Sequence, residues 1–100
     1  TWKTESGDGG AFLHVDIAPC GSNICGTIVK VVNSDDTSSV GKPIIWDMQA
    51  KGNGSYSGGK IWAPDTDKTY RSKMSLNGNA LKVSGCVGPI CRGQTWTRIN

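Results

Sequence analysis

The sequence predicts an all-β protein, a small antiparallel up-and-down β-barrel of about eight strands. Apolar residues recur with a period of two, and no stripe with the helical period extends beyond one turn. Short runs of this kind follow one another at spacings of about ten residues. The segments between them are rich in the Gly, Asn, Asp and Ser residues that turns require. Because no helix is predicted to cover the sheet, closure into a barrel would remove its exposed edges.

Length and charge limit the functions to be considered. One hundred residues make a single domain, 1–100, with room for one modest core. The formal net charge is +3, and no basic patch is interleaved with aromatic residues, so nucleic acid is not an expected partner. No apolar segment is long enough to form a membrane span.

The first half of the chain contains three of the predicted strands. Residues 11–17 alternate strictly, which leaves His14 on the outer face and places on the inner face Leu13, Val15 and Ile17. Residues 25–32 are apolar and β-branched. Residues 43–49 place on one face Ile44, Trp46 and Met48. A single helical turn after Pro43 is the alternative for this third run.

The second half contains four more predicted strands. The apolar faces of three of them carry Ile61, Tyr70, Met74, Leu76, Leu81 and Val83. The last strand carries Trp96 and Arg98 on one face. A hairpin is predicted at Asn77–Gly78, because Asn-Gly tolerates the positive φ of a type I′ turn.

Four cysteines form two clusters of identical spacing, one at Cys20 and Cys25 and the other at Cys86 and Cys91. Structural zinc sites usually use Cys-x2-Cys knuckles with His partners, and His14 is the only histidine, so four-thiolate zinc ranks below two disulfides. The spacing favours pairing within each cluster, and the alternative joins one cluster to the other. Disulfides imply an oxidising compartment. No metal and no cofactor are predicted.

Three segments resemble domain-of-unknown-function family 2147. They are "TWKT" at 1–4, "GKIWAPDTDKTY" at 59–70 and "LKVSGCVGPICRGQTWTR" at 81–98. The middle segment departs from the family pattern at Ala63 and Asp67, where the family usually has Asp and Gly. Members are small exported proteins of Gram-negative bacteria with a lipocalin-like fold. The resemblance therefore implies a periplasmic or secreted protein, and the start at Thr1 is read as a mature form whose signal peptide has been removed.

The resemblance also gives a role to two residues near the chain ends. In lipocalin-like barrels an early Trp packs under one end of the barrel and a late Arg lies across its indole. The matching positions here are Trp2 and Arg98. Such a contact contributes about 0.5–2 kcal/mol and would join the first strand to the last.

No catalytic residue is predicted. Most of the acidic residues lie in turns, where a carboxylate usually accepts hydrogen bonds from backbone N–H groups. The acids considered are Asp8, Asp16, Asp47, Asp65 and Asp67. No nucleophile lies near His14 in the sequence, and neither Ser75 nor Ser84 has the context of a nucleophile elbow or triad.

Two classes of function remain. The first is an exported, non-enzymatic barrel that binds a small hydrophobic or amphipathic ligand, in a small or shallow cavity lined by Trp46, Tyr70, Met74 and Trp96. The second is a protein-binding module of the cell envelope, such as an inhibitor of a cell-wall-degrading enzyme, an assembly partner or a homodimer. Its anchors would be Phe12, Tyr56 and Trp62. An open lined cavity favours the first class, and solvent-facing aromatics in an apolar patch favour the second.

Overall fold

A computed structural model describes residues 1–64 and 66–99, without the side chain of Asp8. Eight antiparallel strands pair in chain order and close into a barrel, which confirms the predicted fold. The strands are β1 (Trp2–Lys3), β2 (Phe12–Cys20), β3 (Asn23–Val32), β4 (Pro43–Gly52), β5 (Ser55–Ala63), β6 (Lys68–Asn77), β7 (Ala80–Val87) and β8 (Ile90–Arg98). A 3-10 helix, Asp8–Gly10, precedes β2. Asp65, one of the acids considered above, lies outside the described residues.

The connections alternate between the two ends of the barrel. The turns that join β2 to β3, β4 to β5 and β6 to β7 lie at one end, which we call the clasp end. The connections β1–β2, β3–β4, β5–β6 and β7–β8 lie at the other, which we call the mouth end. The backbone N–H of Arg98 donates to the carbonyl of Asn79 at 2.9 Å, so the last strand finishes beside the β6–β7 turn at the clasp end.

The predicted inner faces form one core. Its members are Trp2, Val15, Ile28, Ile44, Ile45, Met48, Met74, Leu81, Val83 and Trp96, all at most 6% exposed. Leu13 and Ile17 pack against this core, as the alternation of the first run predicts. Because each strand contributes alternate side chains, the barrel interior is filled by apolar groups from every wall.

Residues 43–49 belong to a strand, not a helical turn, and a bulge breaks their alternation. From Ile45 to Met48 the chain of β4 takes three steps where the paired β3 takes two. Asp47 has φ 58° at this point. An extra residue reverses which face the following side chains occupy. A second shift lies before it, because from Pro43 to Ile45 β4 takes two steps where β3 takes one. Ile44 and Ile45 are therefore both buried, whereas Trp46 is only half-buried and outside the core cluster.

The predicted hairpin between β6 and β7 is present, but its turn differs from the prediction. Asn77 pairs with Ala80, so the two loop residues are Gly78 and Asn79. Gly78 has φ 61° and Asn79 is not among the residues with positive φ. Positive φ at the first loop position alone defines a type II′ turn, which requires glycine there. The turn is therefore type II′ and not the expected type I′, and its two loop residues lie one position later in the chain than predicted.

Candidate functional site

A cavity of about 610 Å³ opens at the mouth end of the barrel. Its apolar and aromatic wall is formed by Leu13, Ile44, Ile61, Trp62, Tyr70, Val83 and Trp96. This volume falls within the roughly 300–1,000 Å³ of small-molecule sites. It is larger than the small or shallow cavity predicted from strand length, because β4, β5 and β6 are nine or ten residues long.

Gly85 on β7 lies in the wall of this cavity. A Cβ at this position would lie 3.3 Å from Cγ2 of Ile61 and 3.6 Å from Cβ of Tyr70. Its φ is not positive, so the backbone accepts other residues. The missing side chain therefore lets Ile61 and Tyr70 pack close to the backbone of β7, and a larger residue here would displace them or project into the cavity.

Two of the four side chains predicted to line a cavity do so. Tyr70 and Trp96 are in its wall. Met74 is 5% exposed in the core and borders a separate groove of about 540 Å³, which also contains Lys73 and Lys82. Trp46 lines neither cavity, because the register shift between Pro43 and Ile45 puts it on the opposite face from Ile45.

The inner face of β8 provides the polar part of the wall. The β7–β8 pairing runs without interruption from Ala80 with Thr97 to Val87 with Ile90. Alternation therefore places in one inward row Ile90, Arg92, Gln94 and Trp96, and all four line the cavity. Oε1 of Gln94 accepts a hydrogen bond from the indole nitrogen of Trp96 at 2.7 Å. Counting back from Trp96 in steps of two would have found Arg92 and Gln94 from the sequence.

An apolar lip borders the mouth. Val87 is 63% exposed and Ile90 is 66% exposed, although both side chains line the cavity. The hairpin that carries them is closed by a disulfide between Cys86 and Cys91. A covalent bond directly behind the tip holds the lip in one shape.

Trp62, near the end of β5, is held at the mouth by a residue of the β5–β6 connection. The indole nitrogen of Trp62 donates to Oδ1 of Asp67 at 2.8 Å, and Nζ of Lys42 lies 5.5 Å from the ring centroid. Asp67 has φ 52°, a conformation that favours glycine. The aspartate adopts this turn and gives Trp62 an acceptor.

At the clasp end, Trp2 and Arg98 meet as the resemblance implies. Cζ of Arg98 lies 4.5 Å from the ring centroid of Trp2, and the indole is 6% exposed. Trp2 also pairs with Val15 of β2 and with Arg98 of β8. This contact, which we call the clasp, therefore stands where the first and last strands complete the barrel.

The seam between β1 and β8 is short. β1 contributes only Trp2 and Lys3, which pair with Arg98 and Thr97. Nearer the mouth, the side chain of Glu5 bridges the gap by accepting from the backbone N–H of Thr95. The strand ladder is therefore incomplete on the side of the barrel next to the polar row of β8.

The four cysteines are joined within their clusters. Cys20 bonds to Cys25 at the clasp end, and Cys86 bonds to Cys91 at the mouth end. No free cysteine remains in the described residues. Two disulfides in so short a chain are typical of a protein that works outside the cytoplasm.

The described residues bring together no metal-binding cluster. His14 lies on the outer face, half-buried, with its ring centroid 5.8 Å from that of Phe12. In residues 1–64 and 66–99, no group of three or more His, Cys, Asp or Glu residues could hold a metal ion. Within the same residues, no helix has the length and apolar character needed to cross a bilayer.

Comparison with known proteins agrees with this barrel. The family model described as "Uncharacterized protein conserved in bacteria (DUF2147)" matches residues 1–98. The chain belongs to DUF2147. No curated protein matches it. This DUF2147 chain is similar to a solved structure described as "Protein HP1028 from the human pathogen Helicobacter pylori belongs to the lipocalin family", with a TM-score of 0.81. The identity is 17%, over 99% of this chain and 80% of the other, so the likeness shows the lipocalin-like fold alone.

Proposed function

We infer that this DUF2147 protein is a non-enzymatic, exported binding protein that holds a small hydrophobic or amphipathic ligand in its barrel. The compartment proposed is the periplasm of a Gram-negative bacterium or the medium outside it. The observation that carries this inference is the cavity of about 610 Å³ with its apolar wall and open mouth. Both its volume and its lining are typical of sites that bury a small molecule.

The aromatic side chains support ligand binding better than they support the alternative of a protein-binding surface. Phe12, Tyr56 and Trp62 are all half-buried. Tyr56 packs against the core, and Trp62 faces the cavity while its nitrogen is bonded to Asp67. The proposed anchors therefore do not stand out as an exposed aromatic patch.

One observation supports the second candidate function, which is a protein-binding module of the envelope or a homodimer. Val87 and Ile90 are more than half exposed and adjacent at the tip of one hairpin. Apolar side chains presented together in this way are typical of contact sites. The same lip also serves a ligand that enters the cavity, so we rank this candidate second.

Filling the cavity tests the proposed function. Gly85→Leu adds bulk where a Cβ already approaches Ile61 at 3.3 Å, and Ala50→Leu adds comparable bulk on the exposed part of β4 outside the cavity. Decanol, a neutral amphiphile, is titrated by calorimetry and by tryptophan fluorescence, since Trp62 and Trp96 line the cavity. We expect decanol to bind the natural protein and Ala50→Leu alike, and to bind Gly85→Leu at least about fivefold more weakly.

Two results would contradict this proposal. One is the absence of decanol binding to the natural protein. The other is equal binding to natural protein and Gly85→Leu when circular dichroism shows that both are folded, because the ligand would then bind elsewhere.

A further inference from the structure

The cavity wall contains one charged side chain among the described lining residues, and that is Arg92. It lies in the inward row of β8, one alternation step below Ile90 at the lip and two steps above the buried indole of Trp96. At about 3.3 Å per residue, Arg92 and Trp96 are separated by roughly 13 Å along the strand. The charge therefore stands near the mouth, and the wall deeper in the barrel is mainly apolar.

Arg92 has no partner in the described part of the chain, unlike the other two arginines. Arg71 donates from Nη2 to the carbonyl of Gly88 at 2.6 Å, and Arg98 covers the ring of Trp2. No hydrogen bond or ion pair joins Arg92 to any described residue. A guanidinium has five N–H donors in a planar fork that fits a carboxylate or phosphate, and here these donors are available to a ligand.

The groups around Arg92 favour an anion over a cation. No Asp or Glu side chain that the structure describes lines the cavity. Two described acids at the mouth are already bonded, Asp67 to the indole of Trp62 and Glu5 to the backbone N–H of Thr95. Lys42 adds a second positive charge over the ring of Trp62, outside the cavity lining. A negative head group in the cavity would therefore meet the guanidinium of Arg92, with a further positive charge at the same end of the barrel.

The residue opposite Arg92 adds no side chain to the cavity. Arg92 pairs with Gly85 across the β7–β8 ladder, and directly opposite positions face the same side of a sheet. Both residues line the cavity, and Gly85 has no side chain that could cover the guanidinium. Ile61 and Tyr70 lie close to the backbone at Gly85, so apolar groups adjoin the charge at this level of the barrel.

We propose that the ligand is an anionic amphiphile with a carboxylate or phosphate head and one apolar tail. The head binds the guanidinium of Arg92, and the tail extends along Val83 and Ile61 towards Trp96. This inference rests on the proposed function, since it names the chemical class that the same cavity takes. A carboxylate or a phosphate presents two oxygens side by side and accepts two parallel hydrogen bonds from one arginine, which a hydroxyl head cannot do.

Four amphiphiles with one tail and different heads test the assignment: decanoate, decyl phosphate, decanol and decyltrimethylammonium. Each is titrated into the protein by calorimetry, below its micelle concentration and at neutral pH. We expect decanoate and decyl phosphate to bind about tenfold more tightly than decanol, and decyltrimethylammonium to bind most weakly. The preference should shrink as salt is raised, because the site is open to solvent.

Variants of Arg92 separate the head group from the cavity. Arg92→Leu should bind decanoate about as weakly as the natural protein binds decanol, while its affinity for decanol stays within about twofold. Arg92→Glu should reverse the order, so that decyltrimethylammonium binds better than decanoate. The matched control is Lys73→Leu, which removes the same charge from an exposed position outside this cavity and should keep the preference for anions.

The outcomes distinguish the two proposals. If decanol and decanoate bind the natural protein equally, or if Arg92→Leu keeps the preference for anions, the cavity binds amphiphiles but the role of Arg92 is wrong. If decanoate binds better than decyl phosphate by more than tenfold, the head is a carboxylate, and the reverse order identifies a phosphate. If none of the four binds, the proposed function fails and this inference fails with it.

Discussion

Removing the clasp should destabilise the barrel without changing what the cavity binds. Trp2 is 6% exposed, so Trp2→Ala leaves a cavity in the core as well as losing the contact with Arg98. Truncation of a buried Trp costs about 3–5 kcal/mol. For a domain of this length each kcal/mol lowers the Tm by about 4–8 °C, so we expect a fall of at least about 12 °C.

The guanidinium contact itself is weaker and needs a double-mutant cycle. Arg98 is exposed, so its contact with the indole should contribute about 0.5–1 kcal/mol. Arg98→Met keeps the aliphatic stem and removes the charge. Urea unfolding of the natural protein, Trp2→Leu, Arg98→Met and the double variant should give a coupling energy of about 0.5–1 kcal/mol.

A control and a second measurement make this cycle decisive. Arg71→Met removes an arginine whose guanidinium bonds to Gly88 at the mouth end, so its coupling to Trp2→Leu should be zero. Decanol binding to Arg98→Met should equal that of the natural protein, because the clasp lies at the other end from the mouth. A coupling of zero between Trp2 and Arg98 would show that the contact does not hold the barrel closed. A change in decanol affinity in Arg98→Met would show that Arg98 belongs to the binding site and not to the clasp.

Two further predictions concern the disulfide bonds and the loop before β4. The two cysteines of each disulfide are five residues apart, so replacing either pair by serine should lower the free energy of unfolding by about 2 kcal/mol or less. Thiol titration of the unfolded natural protein should detect no free thiol. Only the double variant Cys86→Ser, Cys91→Ser should weaken decanol binding, because Cys20 and Cys25 lie at the clasp end, far from the mouth. If the variants of the two disulfides weakened decanol binding equally, the lip would not contribute to the binding site. The side-chain hydroxyl and then the backbone N–H of Ser38 donate to Asp36 and lower the pKa of its carboxyl from 3.8. The two hydrogen bonds that lower this pKa stabilise the loop at neutral pH, and their contribution is lost as the pH falls below 3.8 through the lowered pKa. The amide resonance of Ser38 should therefore shift in that range and stay unchanged between neutral pH and about 5, which is roughly the upper limit of carboxylate protonation effects.

The fold could be predicted because its evidence is local. Alternation in each run identifies inner side chains such as Val15 and Val83, and Gly-rich turns separate the strands. The two register shifts of β4 could not be predicted in this way, since nothing in residues 43–49 marks a residue as extra. They depend on how β4 pairs with β3, which is a long-range property. Trp46 was therefore assigned to the wrong face.

The candidate site was only partly predictable for a different reason. Alternation places Arg92 on the same face as Trp96, so its direction could be read from the sequence. Its importance could not, because that depends on the absence of a partner and on Gly85 lying opposite. Both facts require the three-dimensional register of β7 and β8. Sequence patterns give the direction of a side chain, whereas its partners follow from the whole barrel.

The shortness of β1 has a consequence for the width of the barrel. Seven of the eight strands are eight to ten residues long, and the remaining one is two residues long. Ladder hydrogen bonds resist separation of neighbouring strands, so slow opening fluctuations should concentrate where the ladder is missing, between Glu5 and the mouth-side half of β8. On this side, the diameter available to a guest therefore depends on two hydrogen bonds of Glu5, one from the backbone N–H of Thr95 to its side chain and one from its own backbone N–H to Oε1 of Gln94. We expect a relative with a longer first strand to have a stiffer interior with the same eight-strand topology.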